Sequence, residues 1–400
     1  SRYRQVNGTH TFMTAVAGLA DSTITWVDNF KLDANSRISL SNNDAGLRNT
    51  LLGNLAGEDI ESGGNDNTFL GFTAGLQVTT GDNNTAVGSY ALSTSVDGDY
   101  NTAVGYEALA LYEGGDNEGF NTAIGADAGT YLDTGRDNTL IGYKAGFGVS
   151  AGVASFSYNV GVGSNALLAI TTGSYNVAVG ALSLDALTVG GSNVAVGYGA
   201  LSLAAVGESG NIAIGESAMA SVDEGTAGGD IDNNIAIGVN AFTCGDLAGN
   251  DRQVDGNIAI GTNAVNSTGA FAQTGTIGIG QNALTALTAG TGNLAIGYLA
   301  SASMTVGSSN IAIGSNALTN DVGGGGSVAI GTDAMVSQDG GDSAVNMANV
   351  GVGPNAGHYN VTGSNNTNIG NGACLGTSGQ SGSNITAIGS SALNVAYGQD

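Results

Sequence analysis

The chain has 400 residues, of which 69 are Gly and 1 is Pro, and it carries 33 acidic against 8 basic side chains for a formal net charge of -25. Charged residues, at 10%, are too few to coat a helix bundle, while 42% apolar content is too high for a disordered chain. Glycine without a three-residue period excludes collagen, and the acidity excludes a nucleic-acid face, which must neutralise phosphates.

Residues 1–48 hold Arg2, Arg4, Lys31, Arg37 and Arg48, which leaves three basic residues against 29 acidic ones in the rest of the chain. The runs Thr11-Phe12-Met13, Thr23 to Val27 and Ser36 to Leu40 are β-like. They predict an N-terminal β-rich capping or attachment segment over 1–48, followed by a repetitive β-coil shaft over 49–400.

From residue 49 onward one unit dominates. Its template is Asn84-Thr85-Ala86-Val87-Gly88 followed by Ala91-Leu92, and it recurs in nineteen copies whose glycines run from Gly53 to Gly389. Nine of the eighteen spacings are 17 residues. The next copy places Asn101, Val104, Gly105 and Ala108; later ones place Asn211, Ile214, Gly215 and Ala218, then Asn310, Ile313, Gly314 and Ala317. Such a period predicts an all-β fold, a parallel β-roll or β-solenoid of about 19 short coils. Stacked at about 4.8 Å, they would extend roughly 90 Å. Longer stretches between copies, near 110–120, 148–157, 222–233, 243–256 and 336–348, are expected to be surface loops and candidate binding segments.

Within each short strand the residue before Gly is Val, Ile or Leu, the residue two earlier is Thr, Val, Ile or Leu294, and the one between is Ala or Gly in fifteen copies. One face is bulky and the other small, yet neither is polar, which marks a strand covered on both sides. The expectation is that the small Ala/Gly face meets identical chains about a shared axis. Asn stands four before Gly in sixteen copies and is read as a turn residue or a ladder stacked coil on coil. Cys244 and Cys374 lie seven coils apart, too far to bridge within one chain.

Chemistry is sparse. Gly161-Val162-Gly163-Ser164-Asn165-Ala166 fits a dinucleotide loop but is only the repeat, and no βαβ unit fits in 17 residues. His10 and His358 are solitary, and the acid pairs Asp230 with Asp232 and Asp116 with Glu118 are the enzyme alternative, a polysaccharide depolymerase. Asp-rich turns such as Gly81-Asp82-Asn83 and Asp97-Gly98-Asp99 lack the ordered loop of an EF-hand. No catalytic residue, cofactor or metal is expected, and no apolar run is long enough for membrane insertion as a helix.

The Asn-Thr-Ala-Val-Gly-x-x-Ala-Leu units at 84–92 and 101–109 resemble the repeats of bacteriophage tail-fibre shafts, and they are similar to the head repeats of bacterial trimeric autotransporter adhesins. The stretch from Leu32 to Asp44 resembles the lead-in to such repeats in fibres of marine phages. The resemblance implies a structural protein of the virion tail, extracellular, whose partners are itself as a trimer, other tail or fibre proteins and a host-surface glycan or protein. The alternative it leaves is a bacterial adhesin head. Spacing here exceeds that of the adhesin unit, and no heptad stalk is present.

Overall fold

In the computed structural model the described residues are 2–6, 9–15, 26–32 and 38–39, seen as backbone, and 46–393 apart from 115–118, 150–153, 205, 222–230, 244–253, 267–272 and 378–380. The chain divides into two units, Ser1–Lys144 with Ser150–Ser155, and Ala145–Val149 with Phe156–Asp400.

In the first unit, Arg2–Val6, Thr9–Ala15, Trp26–Leu32 and Ile38–Ser39 pair in that order as an antiparallel sheet. The β-like runs at Thr11 and Ile38 fall in it; Thr23 to Thr25 lie outside the described residues, and the strand Arg2–Val6 carries no signal that alternation reveals. Six three-residue strands follow, Thr50–Leu52, Thr68–Leu70, Thr85–Val87, Thr102–Val104, Thr122–Ile124 and Thr139–Ile141. The second unit contains thirteen more, from Val160–Val162 to Thr386–Ile388. Within each unit every such strand pairs in parallel with the next copy and in register, so Thr85, Ala86 and Val87 face Thr102, Ala103 and Val104. No helix occurs among the described residues. The fold is a parallel β-solenoid.

Hydrogen bonds run from coil to coil in the turns as well as in the strands. Thr85 N–H donates to the Asn101 carbonyl (2.8 Å), and past the bend Leu92 N–H donates to that of Ala108 (2.9 Å). Each coil therefore satisfies much of its backbone on its neighbours, with short turns closing within it as from Ala91 N–H to the Gly88 carbonyl, which is why stacking and folding are one process.

The orientation of the strand corrects the sequence expectation. The central small residue is fully buried within a single chain, as at Ala86, Ala103, Ala213 and Ala312, whereas its bulky neighbours face outward. Small residues are required inside because the returning segments of the same coil and of the preceding one pack against them. A Cβ on Gly278 would sit 2.6 Å from Val265 and 3.8 Å from Leu284. The coil interior is thus filled by Ala91 and Leu92 and their equivalents, not by another chain, and the Ala/Gly face is not the contact between copies.

Four strands break the small-centre rule, with Leu51, Phe69, Leu140 and Asn368. Each is matched by a glycine where other coils carry Leu. Gly57 lies against Leu51 and Phe69, Gly75 against the Phe69 ring, Gly129 against Leu140 and Gly357 against Asn368. Volume is conserved across the pair, as close packing demands.

Candidate functional site: the outward strip of the coils

The repeat residues divide between interior and surface. Asn84, Asn101, Asn211 and Asn310 are buried, as are Ala91, Ala108, Ala218 and Ala317. Gly88, Gly105, Gly215 and Gly314 hold φ between 136° and 141° and stack directly on the glycine of the next coil. Val87, Val104, Ile214 and Ile313 point out on the solvent side.

Asparagine does more than turn the chain. Asn84 Oδ1 accepts from Asn101 N–H (2.9 Å) and from Asn101 Nδ2–H (3.1 Å), while Asn84 Nδ2–H donates to the Gly98 carbonyl (2.7 Å), tying the start of its coil to the end. The side chain must donate and accept at once while uncharged, which Asp cannot do when ionised. Two residues earlier a second polar ladder runs along the corner. Asn65 N–H donates to Asp82 Oδ1 and Asp82 N–H to Asp99 Oδ1, both at 2.6 Å, and Ser209 N–H to Asp232 Oδ1 at 2.7 Å. Sequence reasoning weighed these aspartates as calcium or catalytic groups and missed that each receives a backbone N–H of the preceding coil. Their recurrence two positions before the repeat Asn was the available signal. Asp116, Glu118 and Asp230 lie outside the described residues, as do most of the long stretches at 222–233 and 243–256 and residues 150–153 of the stretch at 148–157.

Where Ser327 replaces the ladder Asn, another network fills the core. Gln338 Nε2–H donates to Asp321 Oδ2 (2.7 Å) and to Ser327 Oγ (3.1 Å), and Asn349 Nδ2–H donates to Gln338 Oε1 (2.8 Å). Asp321 Oδ1 accepts from the Gly324 and Gly340 amides at 2.7 and 3.1 Å. Asp321 and Gln338 occupy an inward column that elsewhere holds Ile60, Val78, Leu287 and Met304. Burial raises the Asp321 carboxyl above its usual range despite those hydrogen bonds. A raised folded-state pKa favours the fold at low pH, and that contribution is lost as pH rises through the folded value. Asp321→Asn removes the titration. Its stability relative to the parent is therefore expected to improve as pH is raised from acid toward neutral, read as urea midpoints across that range; parallel curves would refute the assignment.

The outward strip differs between the units. In the second unit both outward positions of eleven successive strands, from Val160–Val162 to Val350–Val352, are Val, Ile or Leu, and Val179, Ile214, Ile237 and Ile330 are each more than a third exposed. In the first unit the leading outward position is Thr in all six strands. Aromatic rings border that strip. Tyr100 and Phe120 stack with centroids 4.9 Å apart and planes within 5°, and Phe72, Tyr90 and Tyr106 form an edge-to-face row with centroids 5.3 and 6.1 Å apart. The Tyr106 hydroxyl donates to the Glu107 carboxylate, which raises its pKa. In the second unit Tyr158 and Tyr175 stack with centroids 5.0 Å apart.

The remaining candidates are structural or isolated. Gly161 to Ala166 forms a strand end and turn with no helix behind it. The His358 ring lies near the Asp333 carbonyl and against Tyr359, and Cys374 is buried; Cys244 lies outside the described residues, and His10 is seen as backbone only. A groove of about 510 Å³ in the first unit is lined by Glu58, Asp59, Glu61 and Glu113 with Thr79 and Val96 between. Among the described residues no three His, Cys, Asp or Glu gather as a metal site, and no helix is long and apolar enough to cross a membrane. No family model matches the sequence, and no curated protein matches it.

Proposed function

We propose that the chain is the shaft of an extracellular fibre, assembled as a homotrimer and serving in a bacteriophage tail to extend toward a host-cell surface, with no catalytic role. The observation that carries this reading is the double column of branched aliphatic side chains on the second unit. Eleven rungs at about 4.8 Å make an apolar strip on the order of 50 Å long. Monomeric proteins seldom leave so long an apolar patch open. A surface with the same pitch matches it along its whole length, and another copy of this chain supplies one.

The acidity fits the same reading. Net charge of -25 on a repetitive surface opposes side-by-side clumping while leaving the uncharged strip free to pair. The expected result from analytical ultracentrifugation is a mass of three chains, seen as fibres by negative-stain electron microscopy. Ile296→Glu with Ile313→Glu places unpaired charges on the strip and is expected to release single chains whose far-ultraviolet spectrum remains β-type. A parent chain that sediments as a stable monomer would defeat the proposal.

A further inference from the structure

We infer that the outward strip of the first unit is a binding site for a linear, uncharged polysaccharide lying across successive coils. This rests on the reading of the chain as an extracellular fibre and names the partner that such a fibre would meet.

Three observations on this strip converge. First, Thr85, Thr102 and Thr122 stand in register on neighbouring strands, partly exposed, and their hydroxyls have no hydrogen bond to any described residue. Second, aromatic rings stand at the strand ends: Tyr100 and Phe120 two residues before a strip Thr, and Tyr106 two residues after Val104, all close to half exposed. Third, no charged side chain belongs to the strip itself, although the chain is strongly acidic.

The three select a ligand chemistry. A sugar ring offers an apolar C–H face, which suits an aromatic ring, and a rim of hydroxyls, which suits a row of hydroxyls able to donate and accept. Repetition at about 4.8 Å presents the same group once per coil, so an extended chain of like sugars meets a like surface at each step. An acidic polysaccharide is disfavoured by the chain's own charge. A dry contact with a second copy is disfavoured too. Burying hydroxyls without hydrogen-bond partners is unfavourable, and the strip carries six Thr, whereas the eleven aliphatic rungs of the second unit carry none.

The tolerated replacements are already present elsewhere in the repeat. Val177 and Val194 occupy the Thr position in the second unit, and Asn83 and Asn233 occupy the Tyr100 position with the same positive φ. The test therefore uses the full chain with Thr85→Val, Thr102→Val and Thr122→Val together, and separately Tyr100→Asn with Phe120→Asn. Each is run beside the parent by affinity electrophoresis and co-sedimentation against β-linked glucan, mannan and, as an acidic control, alginate. Expected is retention of the parent by glucan or mannan, weakened on the order of tenfold in each variant, a change of about 1.4 kcal/mol. Retention by alginate alone, by no polysaccharide, or equally by parent and both variants would overturn the site. Electron microscopy of the same preparations separates the two readings: trimeric fibres that bind no glycan defeat the site alone, and compact single chains defeat the fibre.

Discussion

Gly88→Ala is expected to break the stack where it falls, abolishing amide protection in the coils on either side of it. Gly88 has φ of 139°, where side chains are rarely tolerated, and an added Cβ would lie 2.3 Å from the Gly105 carbonyl oxygen. The obstructing atom is backbone in the next coil, which is itself fixed by the strand ladder, so neither partner can yield cheaply. Strain of about 1–3 kcal/mol adds to a lost interface between coils. In a solenoid the interfaces between neighbours carry the stability, so a broken one divides the array rather than weakening it evenly. Hydrogen exchange should show fast exchange at Thr85 and Thr102 while the second unit keeps its protection. Ser89→Ala, one residue along, is the control and should leave both patterns as in the parent. Uniform protection in Gly88→Ala would mean that the glycine stack does not hold the coils together.

The repeat Gly and the strand could be read from the sequence because their fixed spacing recurs nineteen times, and the returning Ala because it stands three residues after Gly in eighteen of the nineteen copies. Which face of the strand points inward could not. Ala86 and Val87 are both apolar, so the hydropathy pattern carries no polarity signal, and the choice is made by volume: Ala86 shares the interior with Ala91 and Leu92, leaving no space for Val87. The same blindness hid the Asp82 and Asp99 ladder, since an Asp in a turn looks the same whether solvated or bonded to the coil before it. Leu92 and Leu109 are a further case. Both adopt positive φ, 51° and 49°, at a cost of about 1 kcal/mol each that local preference would reject. Their complete burial offsets it, a tertiary effect invisible to any window of sequence. One part of the packing was legible and overlooked: the large strand centres at Leu51, Phe69 and Leu140 each have Gly six residues on, at Gly57, Gly75 and Gly146, where other coils have Leu.

That exchange of volume yields the second large effect. Gly75→Leu should unfold the coils around it, because the Cβ alone would sit 2.4 to 2.6 Å from three atoms of the Phe69 ring. Backbone strain is not the cause, since Leu92 adopts a similar positive φ in the following coil. Phe69→Ala alone should also be costly, by about 3–5 kcal/mol, through the cavity left by a fully buried ring. Combined, the two restore the Ala86 and Leu92 arrangement of the neighbouring coil, so the double variant should be more stable than either single one. It should still fall short of the parent, because a Cβ on Gly57 would lie 3.1 Å from the ring on the other side, and the space that glycine leaves for the ring would remain unfilled. Denaturant midpoints of the four proteins give the coupling energy, expected at or above about 3 kcal/mol and favourable. Additive losses would show that the strand centre and the returning segment do not share one cavity, and with that the inward placement of the small strand face would lose its physical basis.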